Sequence, residues 1–218
     1  HITAHQGNIE YASLGFSPDN KELIYATNEF GEFRQAWKYS MATGKKSLLI
    51  AEDWDVMYVS FSPSGRYQIS AINNDASTDV TLIDLSSNKE MSLSGIPEGD
   101  LSQIRFNRDE SGFVFSLNQD TSPSNLYHIK LGVTPKKLTN ALNPEINDMH
   151  MVEGEVVRFS SYDGVEIPGI LYQPKNASAA DPVPALVWVH GGPGGQSRKG
   201  YSAAIQHLVN HGNYVKTD

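Results

Sequence analysis

A run of glycines near the C-terminal end has residue types and spacing that could bind a developing negative charge through backbone amides. Residues 190–195 read His-Gly-Gly-Pro-Gly-Gly and directly follow the apolar segment 185–189. Glycine lets the backbone approach a ligand closely, because no side chain stands in the way. Preorganised backbone N–H groups of this kind stabilise the oxyanion that forms during acyl transfer. The loop therefore predicts an oxyanion site at His190, Gly191 and Gly192.

The segments on either side of this loop predict the elements that hold it. Residues 185–189, entered from Pro182 and Pro184, read Ala-Leu-Val-Trp-Val, which is typical of a strand buried on both faces of a mostly parallel sheet. Apolar residues then recur at helical spacing, and a glycine stands where the helix should end. These are Tyr201, Ala204, Ile205, Leu208, Val209 and Gly212. The alternative is a strand-to-helix turn whose glycines have only a conformational role.

The chemistry that such a loop serves needs a nucleophile, and the sequence does not contain the expected pattern. Acyl transfer on this kind of fold uses a serine in Gly-x-Ser-x-Gly, then an acid, then a histidine. No such pattern occurs in the 218 residues. Ser197 and Ser202 lie nearest, but neither follows a buried strand. We therefore predict no catalytic residue within the chain and expect the Ser/Asp/His triad to lie after Asp218.

Two histidines on the predicted helix have the spacing of zinc ligands but lack the accompanying base. His207 and His211 are four positions apart, which places them on one helix face. A zinc protease would read His-Glu-x-x-His, and the glutamate is missing here. We expect a surface or capping role for both histidines. The sequence predicts no metal site and no cofactor.

A repeat of 45 residues organises the first two thirds of the chain. Phe16, Phe61 and Phe106 are 45 positions apart, and each opens a similar turn. Four further apolar positions keep the same interval without an insertion. They are Leu14, Val59 and Ile104; Ile24, Ile69 and Val114; Trp37, Leu82 and Tyr127; and Leu48, Leu93 and Leu138. Such self-similarity indicates a repeat architecture.

Each copy of the repeat reads as four short strands separated by turn residues. In the second copy the strands are predicted at 56–61, 66–72, 80–85 and 90–93. A period of 40–50 residues holding four strands is typical of a β-propeller blade. The alternative is a β-sandwich with evenly spaced strands, which has no reason to keep five positions in step. Three blades cannot close a ring, so we expect the sequence to begin inside a longer protein.

The pattern changes after the third copy. Residues 141–153 are polar and interrupted by proline, which predicts a linker. Two β-rich runs, 155–160 and 165–172, then flank Tyr-Asp-Gly and predict a hairpin. We expect a partial propeller of about three blades at 1–140 and the N-terminal part of an α/β-hydrolase domain at 154–218. The three tryptophans are predicted to be blade or sheet core.

Composition restricts the classes of partner. The net charge is −8 and no run of lysine and arginine occurs, so a nucleic acid or an anionic membrane has no electrostatic basis as a partner. No apolar segment approaches the roughly 20 residues that span a bilayer. We expect a soluble protein of the cytoplasm or the bacterial periplasm. The absence of cysteine excludes disulfides but does not separate these compartments.

Four segments together resemble the prolyl oligopeptidase family of serine peptidases, which includes acylaminoacyl and dipeptidyl peptidases. They are the Phe-Ser-Pro-Asp turn at 16–19, the Phe-Ser-Pro-Ser-Gly turn at 61–65, the segment from Arg158 to Leu171 with its Tyr-Asp-Gly, and the segment Val-His-Gly-Gly-Pro-Gly-Gly-Gln at 189–196. The family places a propeller before an α/β-hydrolase domain. The resemblance implies that the chain covers the last blades and the first part of the catalytic domain.

The resemblance also implies a substrate and a role for the loop. In such enzymes the propeller covers the active site and admits short, flexible peptides. Related members can use a tyrosine side chain of the loop as an oxyanion donor. Here His190 and two glycines occupy that place, which implies donation by the N–H of Gly191 or Gly192. After Gly212 the family pattern has a tyrosine, an apolar strand and an Arg-Gly turn, whereas this chain continues differently.

Two other functions stay open on the sequence. A partial propeller without a triad could be a binding module that presents its loops to a partner protein. An esterase or a proline iminopeptidase can also carry a His-Gly-Gly-Pro-Gly loop, but the 45-residue repeat argues against both because those enzymes have helical caps. We expect a short peptide as the substrate of the parent protein, and the sequence leaves a homo-oligomer open.

Overall fold

The chain is mostly β-sheet in the computed structural model, which describes residues 2–192, 194–212 and 214–217. These residues form four sheets of four strands each and one α-helix of eight residues. With one short helix among them, the described residues show no α/β-hydrolase domain, so that part of the predicted fold is not confirmed. None of their helices is long and apolar enough to cross a membrane.

Three of the sheets follow one another along the chain, and we number them blades 1 to 3. Blade 1 holds β1 (Tyr11–Phe16), β2 (Glu22–Thr27), β3 (Gln35–Ser40) and β4 (Lys46–Ile50). Blade 2 holds β5 (Val56–Phe61), β6 (Tyr67–Asn74), β7 (Ser77–Asp84) and β8 (Lys89–Glu90). Blade 3 holds β9 (Asp100–Phe106), β10 (Gly112–Gln119), β11 (Ser122–Lys130) and β12 (Lys136–Lys137). In each blade the strands pair antiparallel in chain order, which is the arrangement of propeller blades.

The predicted 45-residue register holds in the strand pairing. Phe16, Phe61 and Phe106 each end the first strand of their blade. Each pairs with the residue seven positions later on the second strand. Equal sequence positions therefore occupy equal sheet positions, which confirms the repeat and excludes the evenly spaced sandwich.

The blades pack face to face through apolar residues at repeated positions. Ile24 of blade 1 lies in a core cluster with Val59 of blade 2. The equivalent Ile69 of blade 2 lies in a cluster with Phe113 of blade 3. Val114, the third residue of this series, is 37% exposed because no further blade covers that face among the described residues. Burial at a repeat position therefore depends on a following blade.

The fourth sheet is built after a segment with a short 3₁₀ turn at Asp148–His150. β13 (Gly154–Ser160) and β14 (Glu166–Tyr172) form the predicted hairpin. β15 (Ala185–Trp188), helix α1 (Ala203–Asn210) and β16 (Tyr214–Thr217) follow. The strand order is β13-β14-β16-β15, in which β16 pairs antiparallel with β14 and parallel with β15.

Helix α1 forms in the segment where the sequence predicts a helix and ends just before the predicted glycine. Ser202 is the N-cap, and its hydroxyl oxygen accepts the N–H of Ile205 at 3.3 Å. Gly212 follows the helix with φ +81°, a conformation that favours glycine at helix C-termini. The apolar face of α1 packs against β14 and against Ala76 in the β6–β7 turn of blade 2, and Val209 is buried there.

The prediction that segment 185–189 is buried on both faces is wrong for this structure. β15 forms at the expected place, but Val187 is 62% exposed, Trp188 45% and Val189 66%. β15 lies at an edge of its sheet, and only β16 pairs with it among the described strands. Trp188 is thus not sheet core, because burial requires covering layers that the described residues do not provide.

Candidate oxyanion loop and its junction with the blades

The glycine loop starts directly after β15 and makes a tight turn. Gly192 has φ +76°, in the left-handed region that glycine adopts at little cost. The N–H of Gly195 donates to the carbonyl oxygen of Gly192 at 3.0 Å. A Cβ at Gly195 would lie 2.7 Å from the carbonyl oxygen of Gly191 and 3.0 Å from Nδ1 of His190. Only glycine fits this approach; Pro193 lies outside the described residues.

The predicted oxyanion site lies in an exposed turn. Gly191 and Gly192 are exposed, and within the described part of the chain neither N–H donates a hydrogen bond. A Cβ built on Gly191 would meet nothing within 4 Å. Nδ1 of His190 lies 3.3 Å from the carbonyl oxygen of Gly191, which keeps the imidazole beside the turn. Both N–H groups are therefore available to a ligand.

Arg198 ties the segment that follows the glycines to blades 2 and 3. Its guanidinium donates to the hydroxyl of Thr78 at 2.6 Å and to Oδ1 of Asp100 at 3.3 Å. It also donates to the side-chain carbonyl of Asn73, whose amide group donates to Gln196 at 2.7 Å. Hydrogen bonds from a charged donor are stronger than neutral ones. The chain is thus fixed to the blades immediately after the loop.

Asp120 forms a second, buried attachment. It lies in the turn between β10 and β11 and is 6% exposed. Its carboxylate accepts the N–H of Gly154 at 2.9 Å, the N–H of Gly200 at 2.7 Å and the hydroxyl of Tyr172 at 2.8 Å. Nζ of Lys199 lies 3.8 Å from the same carboxylate. One acidic side chain of blade 3 therefore joins β13, β14 and the segment after the glycine loop.

Gln206 and Tyr172 complete this junction from the side of the fourth sheet. The side-chain amide of Gln206, buried on α1, donates to the carbonyl oxygens of Asp120 at 2.9 Å and Val152 at 2.8 Å. Its side-chain oxygen accepts the N–H of Val152 at 3.0 Å. Burial, followed by the charge of Asp120, raises the pKa of Tyr172 above its ordinary value. The phenol therefore stays protonated and donates to the carboxylate at neutral pH.

A cavity of about 370 Å³ lies beside the glycine loop, between the blades and the fourth sheet. Trp54 contributes from the loop that joins blades 1 and 2, and Ala76 contributes from the β6–β7 turn. Ile167 and Pro168 of β14 line it from the other part of the chain, and His190 lines it from the loop. The loop and the cavity therefore form one continuous surface.

The structure shows where the two serines and the two histidines considered in the sequence analysis lie. Ser202 caps α1, and Ser197 is half-buried in the wall of the 370 Å³ cavity. The rings of His207 and His211 lie 4.0 Å apart, and His211 is the C-cap of α1, in agreement with the expected capping role. In the ranges that the structure describes, no group of three or more potential ligands could hold a metal ion.

Sequence reasoning missed the two residues that fix the loop, Asp120 and Arg198. Asp120 stands in a hairpin turn, where aspartate is common for local reasons. Its partners are 34 to 86 positions away along the chain. No periodicity marks such contacts, so only the folded chain shows them.

Comparison with known proteins connects this architecture to peptidases. No protein-family model matches the chain. Among curated proteins it is similar to the uncharacterized peptidase YuxL of Bacillus subtilis strain 168, with 32% identity over 85 residues. The match covers 39% of this chain and 13% of the relative.

Three solved structures share the fold over nearly the whole chain. A prolyl endopeptidase matches 98% of the chain with a TM-score of 0.74 and 16% identity. A puromycin-hydrolyzing peptidase of Mycobacterium tuberculosis matches 96% of the chain with a TM-score of 0.78 and 14% identity. The acylaminoacyl peptidase of Pyrococcus horikoshii matches 91% of the chain with a TM-score of 0.66 and 17% identity. The chain spans 31% to 33% of the length of these proteins.

The sequence resemblance stated above is therefore confirmed at the level of the fold, and the similarity to a curated peptidase agrees with it. The match covers about one third of each of these larger proteins and includes the three blades of this chain. In fold this chain is therefore similar to a prolyl endopeptidase and an acylaminoacyl peptidase, and over 85 residues it is similar in sequence to a curated peptidase.

Proposed function

We propose that this chain is part of a serine peptidase that cleaves short peptides through an acyl-enzyme. In this proposal the N–H groups of Gly191 and Gly192 bind the oxyanion. The observation that carries it is the loop itself, whose two amides are exposed and unpaired in the described residues and lie beside a cavity. The fold shared with peptidases supports the same reaction class.

The reaction assigns a specific task to these amides. When a nucleophile adds to a peptide carbonyl, negative charge moves onto the carbonyl oxygen. Fixed N–H donors stabilise that charge without reorganisation, and one such donor typically contributes 10²–10³-fold in kcat. No Gly-x-Ser-x-Gly occurs in the chain, so the proposal takes the serine, the acid and the histidine from residues outside these 218. The chain by itself is then inactive.

The exposed strand supports the assignment of the fourth sheet to an α/β-hydrolase domain. β15 and β16 are parallel and are joined through the loop and α1, which is the crossover unit of such sheets. The apolar residues of segment 185–189 are solvent-exposed here, and contiguous exposed apolar surface marks a place for a further packed element. In the proposal, the rest of the hydrolase domain covers them.

The proposal is tested on the full-length gene product with a fluorophosphonate probe and with two variants of the loop. We expect covalent labelling of one serine outside residues 1–218, and none with the 218-residue chain. Gly191→Pro removes one N–H donor and should lower kcat about 10²-fold. Gly191→Ala keeps the donor, and a Cβ there meets nothing within 4 Å, so its activity should be close to that of the wild type.

Two results would contradict the proposal. A full-length protein that resists the probe would favour the binding module over the peptidase. Equal loss of kcat in Gly191→Pro and Gly191→Ala would show that the N–H of Gly191 does not serve as a donor.

A further inference from the structure

The cavity beside the glycine loop is walled mainly by apolar side chains from two parts of the chain. Trp54 and Ala76 come from blade loops, and Ile167 and Ile170 come from β14. The wall residues that come from segment 190–197, including His190, are polar side chains or glycine. Apolar walls with a few polar groups at one side are typical of small-molecule sites, which have volumes of about 300–1,000 Å³. At about 370 Å³ this cavity has room for an apolar side chain together with part of the peptide that carries it.

The charges around the cavity favour an uncharged occupant. Asp75 is the acidic residue of the described wall, and no lysine or arginine lines it. The carboxylate of Asp75 is paired with the guanidinium of Arg158 at 2.7 Å. A charged ligand group would lose hydration without gaining a free counter-charge, which is costly. An apolar side chain would instead gain from burial against the walls.

Trp54 is held in place before any ligand arrives. Its ring lies 5.7 Å from the ring of Phe33, at an interplanar angle of 43°. Its carbonyl oxygen accepts the side-chain amide of Gln35 at 3.2 Å. A large aromatic surface that is already fixed binds apolar groups at a low cost in conformational entropy.

His190 and Gly195 belong to both the cavity wall and the glycine loop. A side chain in the cavity would thus place its own peptide group next to the exposed amides. We propose that the cavity between Trp54 and β14 is a subsite for an uncharged, apolar side chain of the peptide substrate. The inference rests on the proposed function for its substrate, and its test measures binding without turnover.

The test is a titration of the ¹⁵N-labelled chain with capped amino-acid amides, followed by NMR. The probes are N-acetyl-leucinamide, N-acetyl-lysinamide and the α-amide of N-acetyl-glutamate. We expect the leucine probe to shift the indole N–H of Trp54 and the amides of Ile167 and Gly169, with saturation. The two charged probes should bind at least about tenfold more weakly, which corresponds to about 1.4 kcal/mol.

Two substitutions on the β13–β14 hairpin separate the cavity from its surroundings. Ile167→Glu places a carboxylate in the wall of the cavity. The affinity for the leucine probe should therefore fall about tenfold, and the lysine probe should become the tightest-binding of the three. Val165→Glu makes a related change on the same hairpin, at a position that is 55% exposed and outside the wall. It should leave all three affinities unchanged. Trp54→Leu, which keeps an apolar side chain, should weaken leucine binding several-fold.

The outcomes distinguish this inference from the proposed function. Unshifted cavity resonances with the leucine probe, or equal affinities in Ile167→Glu and Val165→Glu, would overturn the subsite even if the full-length protein reacts with fluorophosphonate. Binding in the cavity together with a full-length protein that resists the probe would leave the site for apolar amides in place and refute the peptidase.

Discussion

The two ends of segment 190–201 are held in opposite ways. At the glycine end, the described contacts stay within the loop, between Gly195 and Gly192 and between His190 and Gly191. At the other end, Arg198 and Gly200 bind side chains of blades 2 and 3 that lie 80 to 125 positions earlier in the chain. One end is exposed and the other enters a buried network.

This difference separates stability from ligand binding. The buried end fixes the segment to a scaffold of packed sheets, and a rigid scaffold is what positions a functional loop. The glycine end keeps its amides free of internal partners. Changes at the buried end should therefore lower the free energy of unfolding, whereas changes at the glycine end should mainly affect what the loop binds.

The largest effect is expected at Asp120. Asp120→Ala would leave two backbone N–H groups and the hydroxyl of Tyr172 buried without an acceptor. We expect a loss of about 3–5 kcal/mol in the free energy of unfolding, measured with urea at pH 7. Asp120→Asn keeps one acceptor oxygen and should lose less.

Asp109→Ala is the matched control for Asp120. Asp109 is exposed, and within the described residues its carboxylate accepts local bonds from Ser111 at 2.8 and 3.1 Å. Its loss should cost less than about 1 kcal/mol. If Asp109→Ala and Asp120→Ala destabilise the chain equally, the junction has no special role.

Alkaline pH should weaken the core between blades 2 and 3, against which Tyr58 packs. The hydroxyl of Tyr58 is buried without a partner within the described residues, and burial, followed by the charge of Asp100, raises its pKa to about 12. An unfolded tyrosine titrates near 10, so the folded chain holds this proton more tightly. The contribution of Tyr58 is complete below about pH 10 and is lost as the pH rises to 12.

The measurement compares unfolding free energies between pH 8 and 12. With a pKa difference of about two, Tyr58 accounts for about 2 kcal/mol of the alkaline loss. Tyr58→Phe should show a smaller decrease over this range and nearly unchanged stability at pH 7, because the hydroxyl has no partner to lose. Parallel pH curves for the wild type and Tyr58→Phe would contradict the assignment.

The same substitution at two glycines compares the ends directly. A Cβ at Gly200 would lie 2.5 Å from the side-chain nitrogen of Asn118, whose carbonyl accepts the N–H of Tyr201 at 3.3 Å. Gly200→Ala should cost about 1–2 kcal/mol through this overlap. Gly191→Ala should change the unfolding free energy by less than about 0.5 kcal/mol. Thermal unfolding of both variants measures the difference. Equal shifts of the unfolding temperature in Gly200→Ala and Gly191→Ala would refute the proposed difference between the two ends.

Local pattern predicted the elements but not the junction. The blade repeat, the Asp-Gly hairpin and the C-terminal end of α1 were predictable because each depends on residues close together or at a fixed period. The junction depends on Asp120, whose turn gives no sign of its distant partners. Arg198 likewise has no local feature that distinguishes it from a solvated arginine.

The burial of segment 185–189 shows a second limit. Five apolar residues in a row correctly indicated a strand, because that pattern is local. Burial is not a local property, since it depends on the layers that pack on each face. In the described residues β15 occupies a sheet edge, so its side chains stay exposed. The same reasoning applies to Val114, which repeats the spacing of Ile24 and is exposed because no blade among the described residues follows it.

Among the changes at the buried end, the smallest effect on global stability is expected at Arg198, together with a local effect on the loop. The ion pair between Arg198 and Asp100 is partly exposed, and such pairs contribute at most about 1 kcal/mol. Arg198→Met keeps the apolar stem but removes the guanidinium that joins blades 2 and 3 to the loop. Amide hydrogen exchange in a peptide covering 190–202 should therefore accelerate while the unfolding free energy falls by about 1 kcal/mol or less. Arg34→Met is the matched control. It breaks an ion pair with Asp55 at 3.1 Å that is also partly exposed and lies between blades 1 and 2. It should leave amide exchange at 190–202 unchanged. Equal exchange at 190–202 in Arg198→Met and Arg34→Met would show that this arginine does not hold the loop.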